Sequence, residues 1–455
     1  MQQTHVVRRL VSIAAITVVV TVAVARSEPI RATYRAELAS AITEHVERNL
    51  SDLLAYYKDL HAQPELSLHE GETARKIADR LRLLGYAVTT DVGGHGVVGV
   101  LRNGAGPTVL VRGDMDALPI TEETGLPYRS QVRVTNDDGR KVGVMHACGH
   151  DIHQTCLLGT AGVLSQLRDR WSGTIVAIAQ PAEEIGKGAR LMIEDGLFER
   201  FPRPDYCLAL HVAAAAPAGW IGYTSGWALA NVDSVDITIF GRGGHGSRPN
   251  EAIDPIAAAA QVIVSLQTIV SRRVDPREPA VITVGSIHAG SKHNIIPDEA
   301  ALKLTVRSYT EETRRILLDG IREITLGTCR AMGCTKDPVV TLREDEFTPA
   351  AYNDPALTQA AVEVLRQVLG SDRVVERKPV MGGEDFGRFS RHLKAPGFLF
   401  WLGAVNTKVF EDAQRSGDPL PSLHSSKFAP DPEPTIATGV KAMASIVLAL
   451  LDPKR

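Results

Sequence analysis

At 455 residues the chain is too long for one ordinary hydrophobic core, so two domains are expected. Its composition, 44% hydrophobic and 23% charged, is that of a folded globular protein rather than a disordered or fibrous one. A formal net charge of −3 gives no electrostatic reason to expect nucleic acid or an anionic membrane as a partner.

The N-terminus stands apart. Arg8-Arg9 precede an apolar run from Leu10 to Ala25, and Ala23-Val24-Ala25 fits a small-x-small cleavage site. Residues 1–25 therefore read as a secretory signal peptide, shorter than the ~20 apolar residues a spanning helix needs. An exported protein, periplasmic or secreted, with no stable membrane partner after cleavage is expected; an uncleaved anchor is the alternative. The paired arginines do not decide between Sec and twin-arginine export. Five cysteines (148, 156, 207, 329 and 334) are an odd count for an exported chain. Cys329 and Cys334, five apart on a helix, would face differently, so no disulfide is expected between them.

Past this segment, residues 36–60 and 70–84 carry helical periodicity, the second stretch ending at Gly85. Strand-like runs follow at Val97–Leu101 and Thr108–Arg112, the latter leading into Gly113-Asp114-Met115-Asp116. Cys156–Leu167 reads as a helix. Gly173–Gln180 is a continuous apolar strand leading into Pro181-Ala182-Glu183-Glu184, a helix is expected around Ala189–Asp195, and Tyr206–Leu210 is a strand leading into His211. Strands alternating with helices predict an α/β domain with a mostly parallel sheet. From about Asn231 the order becomes βαββαβ: Asp233–Phe240, Ile253–Arg272, Ala280–Ile287, Ala300–Ser308, Glu311–Met332 and Val339–Arg343. That order suits an inserted α+β domain of ferredoxin-like type. A helix at Ala356–Leu369, a strand at Gly397–Gly403, a proline-rich loop carrying His424 and a helix at Thr435–Leu451 close the chain. The expected division is 30–229 and 346–455 for the two parts of the sheet domain, with 230–345 as the insert.

The chemistry concentrates in His146-Ala147-Cys148-Gly149-His150-Asp151, with His153 two residues on. On an extended or turning backbone Cys148 and His150, at i and i+2, leave on the same side and reach one ion. A divalent cation wants four or more donors. The rest are found where strands end on Asp114/Asp116, Glu183/Glu184 and His211, because binding crevices of open α/β sheets lie beyond the carboxyl ends of the strands. Glu183 and Glu184 repel each other unless a cation neutralises one. A metal-bound Glu184 then leaves Glu183 free as a general base that takes a proton from an activated water. Cys148, His150, Glu184, His211 and His424 are too many donors for one tetrahedral ion. Two divalent ions ~3.5–4 Å apart are expected, with the thiolate as a candidate bridge.

The chain resembles the metal-dependent amidohydrolases of the peptidase M20 family, in the branch of hippurate hydrolases, N-acyl-amino-acid amidohydrolases and auxin-conjugate hydrolases. The resemblance is carried in order by HAQPELSLHE (61–70), RGDMDALPI (112–120), HACGHDIH (146–153), QPAEE (180–184), LHV (210–212), GRGGHGSRP (241–249), NIIPDEAALKLTVR (294–307), GGEDFGRF (382–389) and LHSSKF (423–428). It implies a catalytic domain with an inserted lid, and the same five ligands around zinc or manganese, with cobalt or nickel also open. Glu183 would be the base, lid residue His245 the oxyanion donor, and Asn294 and Arg307 the anchors for the substrate carboxylate. The implied substrate is a small N-acyl amino acid, hydrolysed at its amide; the alternatives are a dipeptidase or a deacetylase on the same scaffold, or a non-catalytic metal- or peptide-binding protein. In some relatives the lid residues come from a partner, which implies a homodimer through the lid. Asp116 is expected behind the ligands, orienting them, while Asp151 and His153 are either of that kind or structural. Glu384 should line the site, and His61, His69, His95, His288 and His293 carry no metal role. Two departures from the family pattern are the long segment Arg129–Val142 and the polar pair Lys292-His293.

Overall fold

The structure, a computed structural model, describes Ile30 and residues 32–454. The expected signal peptide lies outside the described residues. A nine-stranded mixed sheet forms the centre, in the order Ala87–Thr89, Val97–Asn103, Trp171–Gln180, Thr108–Asp114, Tyr206–Pro217, Gly397–Val405, Ile221–Tyr223 and Val374–Glu376, with Asp452–Pro453 added beside Trp171–Gln180. Its middle four strands are mutually parallel. Their side chains alternate between two cores. Val109, Val111, Ile175 and Leu208 join one, and Leu110, Val176, Ile178 and Ala209 join the other.

On the first face pack Ala36–Ala62, His150–Gln166 and Pro432–Leu450. His150–Gln166 is buried over almost its whole length, as its weakly amphipathic sequence requires. The opposite face is covered by the short helices Gly188–Glu194 and Gly387–Leu393.

The chain leaves this sheet near Asn231 and returns near Thr348, whose carbonyl accepts the Val232 N–H at 2.8 Å. Between them lies an antiparallel sheet in the order Ala280–Ala289, Glu299–Ser308, Asn231–Phe240, Val339–Leu342. Helices Pro255–Arg272 and Glu311–Ala331 pack together against this sheet around a separate core. This is the ferredoxin-like lid. Asp254 caps its first helix by accepting from the N–H groups of Ile256 and Ala257, and Thr310 caps the second. All five cysteines are free, Cys329 and Cys334 included. Segment 129–142 contains a small hairpin, Arg133–Thr135 against Lys141–Gly143, and none of its residues lines the cleft described next.

Candidate metal centre and active site

The cluster forms at the carboxyl ends of the parallel strands. Thr108–Asp114 ends on one carboxylate, Trp171–Gln180 leads into Glu183-Glu184, and His211 lies in Tyr206–Pro217 level with Trp401. Of the two backbones expected for the motif, extended or turning, the structure shows the turn. Gly149 adopts φ +78° and His150 is already the first residue of a helix. The sharp left-handed turn, not strand alternation, therefore brings Cys148 and His150 together. Only glycine fits there, since a Cβ would stand 2.5 Å from Val212 Cγ2. The loop carrying His424 is tied to the same motif, its N–H donating to the Ala147 carbonyl at 2.9 Å.

Two imidazoles are held in a ligand tautomer. His150 donates through Nδ1 to the Asp116 carbonyl at 2.8 Å, and His211 through Nδ1 to the Val212 carbonyl at 2.9 Å. Each is left with a free Nε2 lone pair facing the cluster. His211 Nε2 stands 3.5 Å from Cys148 Sγ. His153 is different. Its Nδ1 donates to Asp114 at 2.6 Å and its Nε2 accepts the Val212 N–H at 2.9 Å, so both nitrogens are used and it is a strut.

Glu184 closes the ring. Its Oε1 is 3.8 Å from His150 Nε2 and its Oε2 is 3.4 Å from His424 Nε2. The donor atoms of Cys148, His150 and His211 lie within 4.8 Å of one another, and so do those of Cys148, Glu184 and His424. Cys148 belongs to both triads, the position a bridging thiolate needs. The fit to cations is supported by bare polar atoms. His150 Nε2 and Glu184 Oε1 are buried with no hydrogen-bond partner, which is costly unless another group engages them.

Charge points the same way. Burial, then the charges of Glu384 and Glu184, push Glu183 well above the usual carboxylate range. Burial raises Glu184 to about 7 and Asp385 to about 7. Burial opposes a charge on His150, yet Asp114 and Asp116 raise it well above its ordinary value. Such crowding marks a site with surplus negative charge, which bound cations relieve. Asp116 lies behind His150 and Glu184. Its Oδ2 accepts from Ser67 Oγ at 2.6 Å and from the Glu184 N–H at 2.9 Å. Asp151 turns away from His150 and instead binds His61 at 2.7 Å, with Glu122 on the other ring nitrogen at 3.1 Å. His61, given no metal role, is thus the charged partner of two buried acids.

Arg112 is a buried charge beside the site that strand patterning did not single out. Fully buried, it binds Asp114 at 2.6 Å, Glu384 at 2.8 Å, Asp385 at 3.3 Å and Gln180 at 2.9 Å. The sequence did carry a signal, because an arginine in a strand buried on both faces must have carboxylate partners. Glu384 lines the cleft through this arginine's grip. Glu70, whose carboxylate accepts the Ala182 N–H at 2.8 Å, was also missed.

Cys148, Glu183, Glu184, His211 and His424 open on a cleft of about 740 Å³, whose lid wall carries Arg307. His245 and Asn294 are not brought to it. They sit together, with the Gly246 N–H on the Asn294 carbonyl, past the far end of strand Asn231–Phe240. Arg307 is level with Val232 near the start of that strand, so it lies ~27 Å from the level of Phe240 at the far end at the usual strand rise. Asn294 and Arg307 therefore do not share one carboxylate site within a single lid.

Residues 110–449 match the family described as peptidase family M20/M25/M40. The chain belongs to this family. Thermostable carboxypeptidase 2 of Saccharolobus solfataricus is 40% identical over 397 residues, covering 86% of this chain and 93% of that protein. The hippurate hydrolase of Campylobacter jejuni is 40% identical over 332 residues, or 72% of this chain and 82% of that enzyme. A dinuclear metal binding M20 peptidase of Bacillus subtilis superposes with a TM-score of 0.72 at 31% identity, covering 89% of this chain and 99% of its own. The protein is accordingly a metal-dependent M20 hydrolase of C–N bonds, and its clustered cysteine, histidine and carboxylate side chains offer donor sets suited to metal ions.

Proposed function

We propose that this M20 hydrolase cleaves the amide of N-acyl amino acids, releasing a carboxylic acid and a free amino acid. The observation that carries the reading is the cleft itself. One cavity holds the amide-cleaving cluster and, on its lid wall, a guanidinium suited to an α-carboxylate. Cys148, His150, Glu184, His211 and His424 would hold two divalent cations, zinc or manganese by donor set, with cobalt or nickel also accommodated. When bound, such ions polarise the amide carbonyl and make water acidic near neutral pH. Glu183, its side chain 10% exposed beside Glu184 and free of any ligand role, accepts the proton of the attacking water and delivers it to the departing nitrogen.

His245 donates to the oxyanion in this scheme, and Asn294 joins Arg307 at the carboxylate. Both come from the lid of a second copy, so a homodimer through the lid is part of the reading. Export, with the enzyme periplasmic or secreted, rests on the charge and apolar pattern of residues 1–25. The carboxylate anchor suits a peptide C-terminus as well, and one relative is named a carboxypeptidase. A panel of acyl-amino acids and dipeptides separates the two. Glu183→Gln should lower kcat by about 10²–10⁴-fold while metal content stays at the wild-type level. Normal turnover in that variant would refute the mechanism.

A further inference from the structure

The catalytic cleft does not end at the metal cluster. Trp401, Val380 and Leu423 line it and also line a second cavity of about 1180 Å³. Trp401 stands edge-on to the His211 ring at 5.4 Å between centroids, so this second space begins directly beside a proposed ligand. Its walls include the alanine-rich tail of strand Tyr206–Pro217, Phe410 of helix Thr407–Ser416, and Leu420 beyond that helix. None of these side chains offers a hydrogen bond. The charged lining residues Glu376, Arg377, Lys378 and Asp418 are solvent-exposed. Arg307 lines only the first cavity, so the carboxylate end and the apolar end of a bound molecule fall on different sides of Trp401.

Resting on the N-acyl amino acid reading above, we infer that this second cavity is the acyl site and takes a long or bulky apolar group, a fatty or aromatic acyl chain. With the carboxylate at Arg307 and the amide carbon at the cluster, the acyl chain has one apolar direction to run. It passes Trp401 into the trough under Phe410. The volume exceeds the ~300–1,000 Å³ usual for small-molecule sites, which an acetyl group would leave almost empty.

The test is kcat/KM of the metal-loaded enzyme on N-acetyl, N-octanoyl and N-dodecanoyl derivatives of one amino acid. Wild type should improve with chain length, by up to about fourfold per methylene while the trough fills. Ala413→Trp narrows the trough from a half-buried helix position outside the catalytic cleft. It should lower the dodecanoyl value by about tenfold or more, the burial of roughly two methylenes, and leave N-acetyl turnover unchanged. Leu420→Asp, which puts a charge in the same wall, should show the same selective loss and guards against misfolding of the first variant. Turnover that is flat across the series, or a chain-length advantage that survives both substitutions, overturns the acyl site alone. If dipeptides are cleaved and no acyl derivative is, the N-acyl reading fails and the acyl site falls with it.

Discussion

Replacing Gly149 by alanine tests how the metal-bearing turn is made. At φ +78° an L-residue costs about 1–2 kcal/mol in backbone strain. The new Cβ would lie 2.5 Å from Val212 Cγ2, well inside the ~3.5–4.0 Å optimum for two carbons, and overpacking of this kind costs about 1–3 kcal/mol. Val212 has little room to yield, because its N–H is tied to His153 and its carbonyl to His211. Together the two terms come to about 2–5 kcal/mol, and the strain falls on Cys148 and His150, the flanking residues. Chemical denaturation should show that loss, and competition with a chelator should show weaker metal binding. Adding Val212→Ala removes the obstructing methyl and should return the overpacking part while the backbone part remains. A Gly149→Ala protein as stable as wild type, or two substitutions that do not couple, would refute the reasoning.

The His61 pairing predicts a pH signature. Burial opposes its charge, but Asp151 and Glu122 outweigh that and raise it from 6.5 to about 9. The folded value lies above the unfolded one, so the stabilisation is complete below about pH 6.5 and is lost as pH rises through about 9. Between those limits wild type should lose on the order of 3 kcal/mol that His61→Gln does not lose, and a wild-type profile no steeper than the variant's would contradict it. Asp116→Ala frees the Glu184 backbone and a wall of the His150 ring. Metal affinity by titration should drop about 10–100-fold, whereas unchanged affinity would show that Asp116 orients nothing.

The sheet domain was legible because buried parallel strands leave long apolar runs, and because Asp114 and the Glu183-Glu184 pair stand at or near their ends; His211, expected just past a strand end, instead sits midway along Tyr206–Pro217, whose alanine-rich tail carries no clear strand pattern. The lid was legible from its βαββαβ order. Less visible were Ile221–Tyr223 and Val374–Glu376, three-residue strands too short to show a period. Helix Thr407–Ser416 was also missed, since it buries no residue fully and so carries no core stripe. In the site, residue types gave the ligand candidates but not their orientation. The neighbours Cys148, His150 and Asp151 part company because a helix starts at His150, which turns Asp151 toward His61. Likewise, nothing in the local sequence of His245 or Asn294 tells how far the lid carries them from Arg307. That distance is set by strand register, a property of pairing between segments some 70 residues apart.

The most direct test is metal stoichiometry with anomalous diffraction from the metal-loaded protein. Two divalent ions per chain, ringed by Cys148, His150, Glu184, His211 and His424, are the predicted result. A single ion, or ions bound away from Cys148, would contradict the dinuclear centre on which the mechanism depends.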